Sequence, residues 1–224
     1  MSDLPVLDHD NLSNTVYATL CDALIKGQFQ PGDRLKIREI AEQLGTSVTP
    51  VRDAIIRLTH DDAIEFQSAR HIRIPVVSRT RYLEIRAIRL KLEALAAETA
   101  AELATKADIE LLTDILVQNE KALTERDRIR GTELNQAFHF QLSTIAELPV
   151  LYGILRRLWL QMGPLIADAY LDGGRTMIDY HYPVIDALKR RDGGAAARAI
   201  MDDIEQGTHC ILKHIAMFEE KSIL

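Results

Sequence analysis

The sequence PGDRLKIREIAEQLGTSVTPVRDAIIRL, residues 31–58, contains two short helical patterns on either side of a glycine. The first pattern covers 37–44 and stops at Gly45, because glycine readily adopts the left-handed conformation that ends a helix. The second pattern begins near Ser47, and Pro50 falls in its first turn, where the missing N–H donor costs little. Two short helices joined by so tight a turn predict a helix-turn-helix.

The crossing of these two predicted helices requires small and apolar side chains at their contact. Ala41, Gly45 and Val51 have this character at four- and six-residue separations. Further apolar residues complete the predicted core: Ile40, Leu44, Ala54, Ile55 and Leu58. Four residues are left at the exposed start of the second helix, namely Ser47, Val48, Thr49 and Arg52. This part of a helix-turn-helix meets base edges in the major groove of DNA.

The flanking sequence extends this unit to a winged helix-turn-helix. Residues 11–26 predict a helix with one apolar stripe, which consists of Leu12, Val16, Leu20 and Leu24. Downstream, 64–66 and 71–74 alternate apolar and polar residues and are joined by 67–70, which predicts a small β-hairpin. Pro75 closes the hairpin and ends the predicted head.

Long helical patterns without a strand signal follow from Ser78 onward. They predict helices near 79–103, 107–127, 131–146, 149–171, 175–191 and 195–220. We therefore expect a mainly α chain with two domains. The first is a winged helix-turn-helix DNA-binding domain over 1–77, and the second is an antiparallel all-α bundle of about six helices over 78–224.

Composition and charge limit what the chain can bind. It has 224 residues, of which 47% are hydrophobic, and this is sufficient for buried cores. Its formal net charge of -6 opposes binding to DNA, whose phosphates attract basic surfaces. Eight cations in the head, however, fall at positions that can share one face: Lys26, Arg34, Lys36, Arg38, Arg52, Arg57, Arg70 and Arg73. We expect this local positive surface to offset the overall acidity.

The sequence also predicts where the protein resides. Residues 1–10 lack the basic start and apolar core of a signal peptide, and no later stretch approaches the ~20 apolar residues that cross a membrane. The two cysteines, Cys21 and Cys210, each lie in an amphipathic helical pattern and are interpreted as small buried hydrophobes in a reducing compartment. We expect a cytoplasmic protein without a disulfide.

The predicted head resembles the GntR family of transcription regulators from about Val16 to Pro75. The resemblance is carried by PGDRL at 31–35, REIAEQLGTS at 38–47 and TPVRDAIIRL at 49–58. It implies DNA contacts at Arg38, Ser47, Val48, Thr49, Pro50 and Arg52 and, at the wing tip, Arg70 and His71. Arginine suits bidentate contact with guanine, and hydroxyl groups can contact phosphate or base.

Two positions depart from the family's pattern. Val48 stands where the family often has arginine, so an apolar contact with a thymine methyl group replaces a polar base contact. The wing tip has Ser68, Ala69 and Arg70 in place of the usual glycine, which opposes close insertion into the minor groove. A winged helix that serves as a protein-binding module is the alternative interpretation.

The rest of the chain, over roughly 80–215, resembles the FCD-type ligand-binding domain of the FadR subfamily. The similar segments are RLKLE at 89–93, the alanine-rich 94–101, Phe138-His139, and the stretch from His181 to Leu188. Many members hold a divalent metal with one Asp and three His. The matching positions here are Asn135, His139, His181 and Asp203.

This candidate metal set differs from the family's at two positions, because Asn135 replaces the Asp and Asp203 replaces a His. Two imidazoles, one carboxylate and an amide suit zinc, nickel or manganese. The alternative is that His139 and His181 are hydrogen-bonded core residues. The resemblance also places an effector-binding cation at Arg89, and Arg86 lies one turn before it.

Either of these arginines can pair with a carboxylate. The alternative for each is an ion pair with Glu93 or Glu84.

The expected function is that of a homodimeric regulator, with repression as its commoner action. Its operator affinity would respond to a small carboxylate metabolite. We expect no enzymatic activity, because a catalytic metal needs a general base and none stands at motif spacing. A metal-dependent enzyme and a ligand-binding module without DNA binding are the competing hypotheses.

Overall fold

The computed structural model describes residues 11–68 and 71–221, which form a small N-terminal head and a larger helical domain. The head contains α1 (Asn11–Ile25), α2 (Ile37–Gln43), α3 (Val48–His60), β1 (Glu65–Ser68) and β2 (His71–Arg73). The larger domain contains α4 (Arg79–Leu103), α5 (Lys106–Thr124), α6 (Arg128–Ile145), α7 (Pro149–Gly173), a 3-10 turn (Gly174–Met177), α8 (His181–Lys189) and α9 (Gly193–Lys221). The predicted fold class, mainly α with a winged helix-turn-helix, is confirmed.

The helix-turn-helix forms where the positions of Gly45 and Pro50 predict it. Gly45 has a φ of +62°, and the amide of Thr46 donates to the Ala41 carbonyl at 2.9 Å, which closes the end of α2. The predicted core is buried at Ile40, Ala41, Val51, Ala54, Ile55 and Leu58. Leu44 was predicted to join it but is 37% exposed, because Ile40 and Ala41 are the buried residues of α2 and Leu44 lies beyond its last residue.

The first helix and the wing enclose this unit. The predicted stripe of α1 is buried at Val16, Leu20 and Leu24, whereas Leu12 lies on the solvent side of the first turn with 54% of its surface exposed. β1 and β2 pair antiparallel with Phe66 opposite Ile72. The turn before α2 also bonds to β2, because the Leu35 amide donates to the Ile72 carbonyl at 2.9 Å. The wing is therefore attached to the start of α2.

The larger domain is arranged around α4, which contacts α6, α7, α8 and α9. The predicted helix over 175–191 is wrong as one element. Ile178 has a φ of -138°, which lies outside helical geometry, so the 3-10 turn ends there and α8 begins at His181. Because of this break, His181 is the first residue of α8, and its side chain is buried. None of the helices in the described ranges combines the length and apolar composition that a membrane span requires.

The head rests on α7 through a contact between backbones. A Cβ atom built on Gly163 of α7 would lie 2.5 Å from the Leu24 carbonyl oxygen and 2.7 Å from the Ile25 Cα atom. Ion pairs surround this contact, with Lys26 3.1 Å from Glu133 and Arg156 3.3 Å from Asp22. The absence of a side chain at position 163 therefore allows α1 and α7 to touch.

We expect Gly163→Ala to lower the free energy of unfolding by about 1–3 kcal/mol, because the added methyl group overpacks a backbone contact. Urea unfolding followed by circular dichroism measures this change. Gly153→Ala is the matched control in the same helix, where a Cβ would meet no atom within 4 Å. The control should gain about 0.5–1 kcal/mol from helix propensity. Equal unfolding midpoints for the two variants would contradict the close approach of α1 and α7.

Candidate functional site

The start of α3 is a solvent-exposed surface of mixed chemistry. Ser47 is the N-cap residue of α3, and the side chains of Ser47, Thr49 and Arg52 are exposed. Val48 is 42% exposed, which leaves an apolar group free beside Arg52. Both residues line a groove of about 630 Å³ together with Arg34, Leu35, Lys36, Ile37, Arg38 and Glu39. Its four cations, Arg34, Lys36, Arg38 and Arg52, outnumber its one acid, Glu39, which lies 2.7 Å from the Lys36 amine, so the groove is positive.

Not every residue predicted to contact DNA lies on this surface. Pro50 is buried in the first turn of α3, so its side chain is not part of this exposed surface. His71 at the wing is exposed, and its Nδ1 atom lies 3.3 Å from the Ser68 hydroxyl. Arg70 lies outside the described residues. Among the described residues of the predicted DNA-contact set, all but Pro50 are exposed: Arg38, Ser47, Val48, Thr49, Arg52 and His71.

Arg57 and Lys26, which the sequence placed among the surface cations, have partners outside the groove. The Arg57 guanidinium lies 3.9 Å from the centre of the Tyr17 ring, and its Nη1 atom donates to the Asn14 amide oxygen at 2.6 Å. Lys26 forms its ion pair with Glu133 of α6. Arg57 therefore fastens α3 to α1, and Lys26 fastens the head to the larger domain, because tertiary packing turns both side chains away from the reading groove.

A second candidate site is buried between α4, α6, α8 and α9. The Nε2 atom of His139 lies 3.3 Å from one Asp203 carboxylate oxygen, and the Nε2 atom of His181 lies 3.4 Å from the other. The ligand-type atoms of the three side chains all lie within 4.8 Å of one another. Asn135 lies one turn before His139 on α6 and is 4% exposed. It lines a small cavity together with His139 and Asp203. The structure thus brings together the four positions that the sequence singled out.

Unsatisfied polar atoms favour a metal at this place. Both ring nitrogens of His181 and the Oδ1 atom of Asp203 are buried without a hydrogen-bond partner among the described residues. Buried polar groups normally have partners, and an unmade bond there costs about 1–3 kcal/mol. Two imidazole nitrogens and a carboxylate oxygen are also a donor set that divalent zinc, nickel or manganese accepts. The residues present therefore fit a divalent metal.

The charge states of the buried groups follow from their neighbours. Burial alone would raise the pKa of Glu93, but Arg89 and His139 outweigh it and lower the pKa to about 2. Burial disfavours charge on His139, yet Glu93 and Asp203 raise its pKa to about 9. Burial dominates at His181 and lowers its pKa to about 4. At neutral pH and without metal, His139 is therefore charged and His181 is neutral.

Arg89 lies at the edge of this cluster. Its Nε atom donates to Glu93 at 2.6 Å, and its guanidinium carbon lies 4.5 Å from the Trp159 ring centre. Neither Nη atom has a hydrogen bond to any described residue, and Arg89 lines a cavity of about 30 Å³ with His139 and Asp203. The predicted alternative, an ion pair with Glu93, is thus present and still leaves two nitrogen donors unused.

Arg86 differs from Arg89 in both burial and partner. Its Nη2 atom lies 3.3 Å from Glu205 of α9, and its side chain does not line the small cavity. The predicted ion-pair partners Glu84 and Glu93 were therefore wrong for Arg86, because the turn of α4 directs it toward α9. Arg86 and Glu205 are 119 residues apart along the chain, and no local sequence pattern indicates that they form a pair.

Comparison with known proteins matches both parts of the chain to family models. Residues 12–74 match the gntR family of bacterial regulatory proteins, and 84–206 match the FCD domain. The chain belongs to the GntR family. Its head is the family's DNA-binding domain, and its helical domain is of the FCD type. This GntR–FCD protein is therefore a transcription regulator, and the expectation that it is not an enzyme is confirmed.

Individual relatives agree with this assignment. The GntR–FCD chain is 29% identical over 204 residues to the HTH-type transcriptional regulator McbR of Escherichia coli strain K12, which covers 89% of this chain and 92% of McbR. It is 22% identical over 197 residues to the HTH-type transcriptional repressor RspR of the same strain, with coverages of 87% and 86%. The solved structure of E. coli McbR/YncC is similar with a TM-score of 0.84 and 28% identity, covering 91% of this chain and 98% of that chain.

Sequence reasoning missed two neighbours of the buried site. Glu93 was considered as an ion-pair partner, but its second carboxylate oxygen lies 2.6 Å from the Nδ1 atom of His139. Trp159 of α7 is fully buried and lies beside both Arg89 and His139. Spacing of four residues indicates the Arg89–Glu93 pair, whereas no local signal connects Glu93 to a histidine 46 residues away.

Proposed function

We propose that this GntR–FCD protein binds an operator in double-stranded DNA through the exposed start of α3, and that a small carboxylate metabolite in the FCD domain changes its affinity for that operator. The observation that carries the proposal is the positive groove at the start of α3, where Arg52 and Val48 are exposed side by side. A solvated arginine beside a solvated valine has no packing role there.

In the proposed DNA-contact surface at the start of α3, different residue types make different contacts. Arg52 contacts a guanine edge in the major groove, while Val48 contacts a thymine methyl group. Ser47, Thr49 and Arg38 contact phosphates or bases, and Pro50 preorganises the helix start. His71 and Arg70 of the wing contact the adjacent backbone. Val48 therefore gives this regulator a base preference different from that of relatives with arginine at the same position.

In the FCD domain we propose that His139, His181 and Asp203 hold a divalent metal, with Asn135 as a further ligand. Such an ion, when bound, supplies an electrophilic anchor for one carboxylate oxygen of the effector. The free Nη atoms of Arg89 hold the effector carboxylate from the other side. Arg86 is left out of this set because it is paired with Glu205.

The size of the cavity suggests how the two sites communicate. At about 30 Å³ it has room for roughly one water molecule, so a carboxylate metabolite must separate the helices that line it. Trp159 and Ile166 line the cavity from α7, and Gly163 between them supports α1 of the head. Movement of α7 therefore reaches the reading surface. A coupling of about 1–3 kcal/mol corresponds to about a 5- to 150-fold change in operator affinity.

The proposed working form is a homodimeric repressor. Two heads related by a twofold axis match two half-sites of a near-palindromic operator and double the contact surface. Repression is the action in the name of the relative RspR. Release of the operator on effector binding is then the expected response.

A gel-shift titration against the DNA upstream of the protein's own gene tests this function. We expect selective binding that weakens steeply with added salt, because phosphate contacts release counterions. Scrambled DNA of the same composition is the control. A parallel thermal-shift screen of small carboxylates should give a hit that raises the unfolding temperature and alters the gel shift. Binding that ignores DNA sequence at every salt concentration would contradict the regulator assignment at this surface.

A further inference from the structure

We propose that Glu93 is a positioning residue that holds His139 ready for a divalent metal and Arg89 ready for the effector carboxylate. This inference rests on the proposed metal and effector site of the FCD domain. It assigns to one buried carboxylate the task of orienting two binding side chains from two different helices.

The geometry divides the two carboxylate oxygens of Glu93 between two partners. Its Oε1 atom accepts a hydrogen bond from the Nε atom of Arg89 at 2.6 Å, and its Oε2 atom lies 2.6 Å from the Nδ1 atom of His139. Glu93 is 2% exposed, and Arg89 and His139 are 4% and 3% exposed. In such an environment a charged carboxylate needs both partners, and each partner is held in one orientation.

The contact with His139 selects which ring nitrogen is available. A carboxylate at 2.6 Å keeps a proton on Nδ1, so Nε2 is the ring nitrogen that gives up its proton when a metal binds. The Nε2 atom is the one that points to Asp203, at 3.3 Å. A carboxylate behind a metal-binding histidine fixes the ring and increases its basicity, and loss of such a partner costs 10- to 100-fold in metal affinity.

The contact with Arg89 acts in the same way on the effector side. Glu93 takes the Nε donor, and the guanidinium carbon lies 4.5 Å from the centre of the Trp159 ring, so these two contacts hold the guanidinium in one orientation at the cavity that Arg89 lines. A guanidinium binds a carboxylate best through two parallel N–H donors. Glu93 therefore leaves a preoriented pair of donors on Arg89 instead of neutralising the whole side chain.

Zinc binding by the full-length protein tests this role. We expect Glu93→Gln to weaken zinc affinity 10- to 100-fold in competition with a chromophoric chelator. Because this change also leaves Arg89 without its counter-charge, the double variant Glu93→Gln/Arg89→Gln restores charge balance in the core. The double variant should bind zinc as weakly as Glu93→Gln, although its unfolding temperature without metal recovers. Glu205→Gln is the matched control, since it breaks an arginine pair outside the cavity and should leave zinc affinity unchanged.

A spectroscopic readout separates positioning from a purely structural role. Histidine ¹⁵N chemical shifts of the zinc-loaded wild type should show His139 coordinated through Nε2 and protonated at Nδ1, with this state weakened in Glu93→Gln. Wild-type zinc affinity in the double variant, or coordination of His139 through Nδ1, would overturn the role of Glu93 while leaving the metal site standing. A wild-type protein that takes up no zinc would overturn both the metal site and this inference, and operator binding would still test the regulator assignment.

Discussion

Arg52→Ala is expected to abolish selective operator binding while the fold remains intact. Arg52 is exposed at the start of α3 and lines the positive groove beside Val48. A bidentate arginine–guanine contact contributes about 1–3 kcal/mol of discrimination, which is about 5- to 150-fold for each half-site. In a dimer the loss occurs twice, so the preference for operator over scrambled DNA should disappear. Fluorescence anisotropy with labelled operator and scrambled duplexes measures both affinities.

Arg198→Ala is the matched control for this experiment, because Arg198 is an exposed arginine on α9 of the FCD domain. It removes the same charge from the chain and should leave selectivity unchanged. Circular dichroism and gel filtration check that fold and oligomeric state are the same in both variants. Retained selectivity in Arg52→Ala would show that the bases are read by another surface.

The second large effect is expected for the metal site. The double variant His139→Ala/His181→Ala removes both imidazoles from the buried cluster and leaves Asp203 as its single charged ligand. Two of three strong donors are lost, so bound metal should fall from about one equivalent per chain to background. Elemental analysis after dialysis against zinc, nickel or manganese gives the content directly.

His214→Ala controls for the loss of a buried imidazole. His214 is 7% exposed and pairs with Asp168 at 2.7 Å and Asp172 at 3.1 Å, outside the candidate metal group. It should retain the metal content of the wild type. Equal metal content in the double variant and the wild type would refute this ligand set, and a measurement of the unfolding temperature excludes unfolding as the cause of any loss.

Local sequence signals predicted the elements that depend on local chemistry. Gly45 and Pro50 marked the helix-turn-helix because both act through their own backbone geometry. Periodicity identified the buried face of α1 and α3, since helical spacing places Val16, Leu20 and Leu24 on one side whatever the helix packs against. The same periodicity wrongly predicted that Leu12 and Leu44 are buried. Leu12 lies in the first turn of α1, and Leu44 follows the last residue of α2.

Family resemblance supplied the candidate site, and the fold brought its members together. Asn135 and His139 are one turn apart on α6, so their shared face follows from helix geometry. His181 and Asp203 join them because the 3-10 turn ends at Ile178 and α9 packs against α4 and α8. No residue spacing along the chain predicts this arrangement, because it depends on how α6, α8 and α9 pack together.

The sequence by itself determined the winged helix-turn-helix, the helical second domain and the exposure of Val48 and Arg52 at the start of α3. Capping residues, turn residues and apolar periodicity act within a few residues of chain. Tertiary structure alone decided which side chains on different helices are paired. Arg57 lies against Tyr17, Arg86 against Glu205, and Glu93 against His139. The physical reason is that an ion pair depends on the distance between side chains of different helices, and only packing sets that distance.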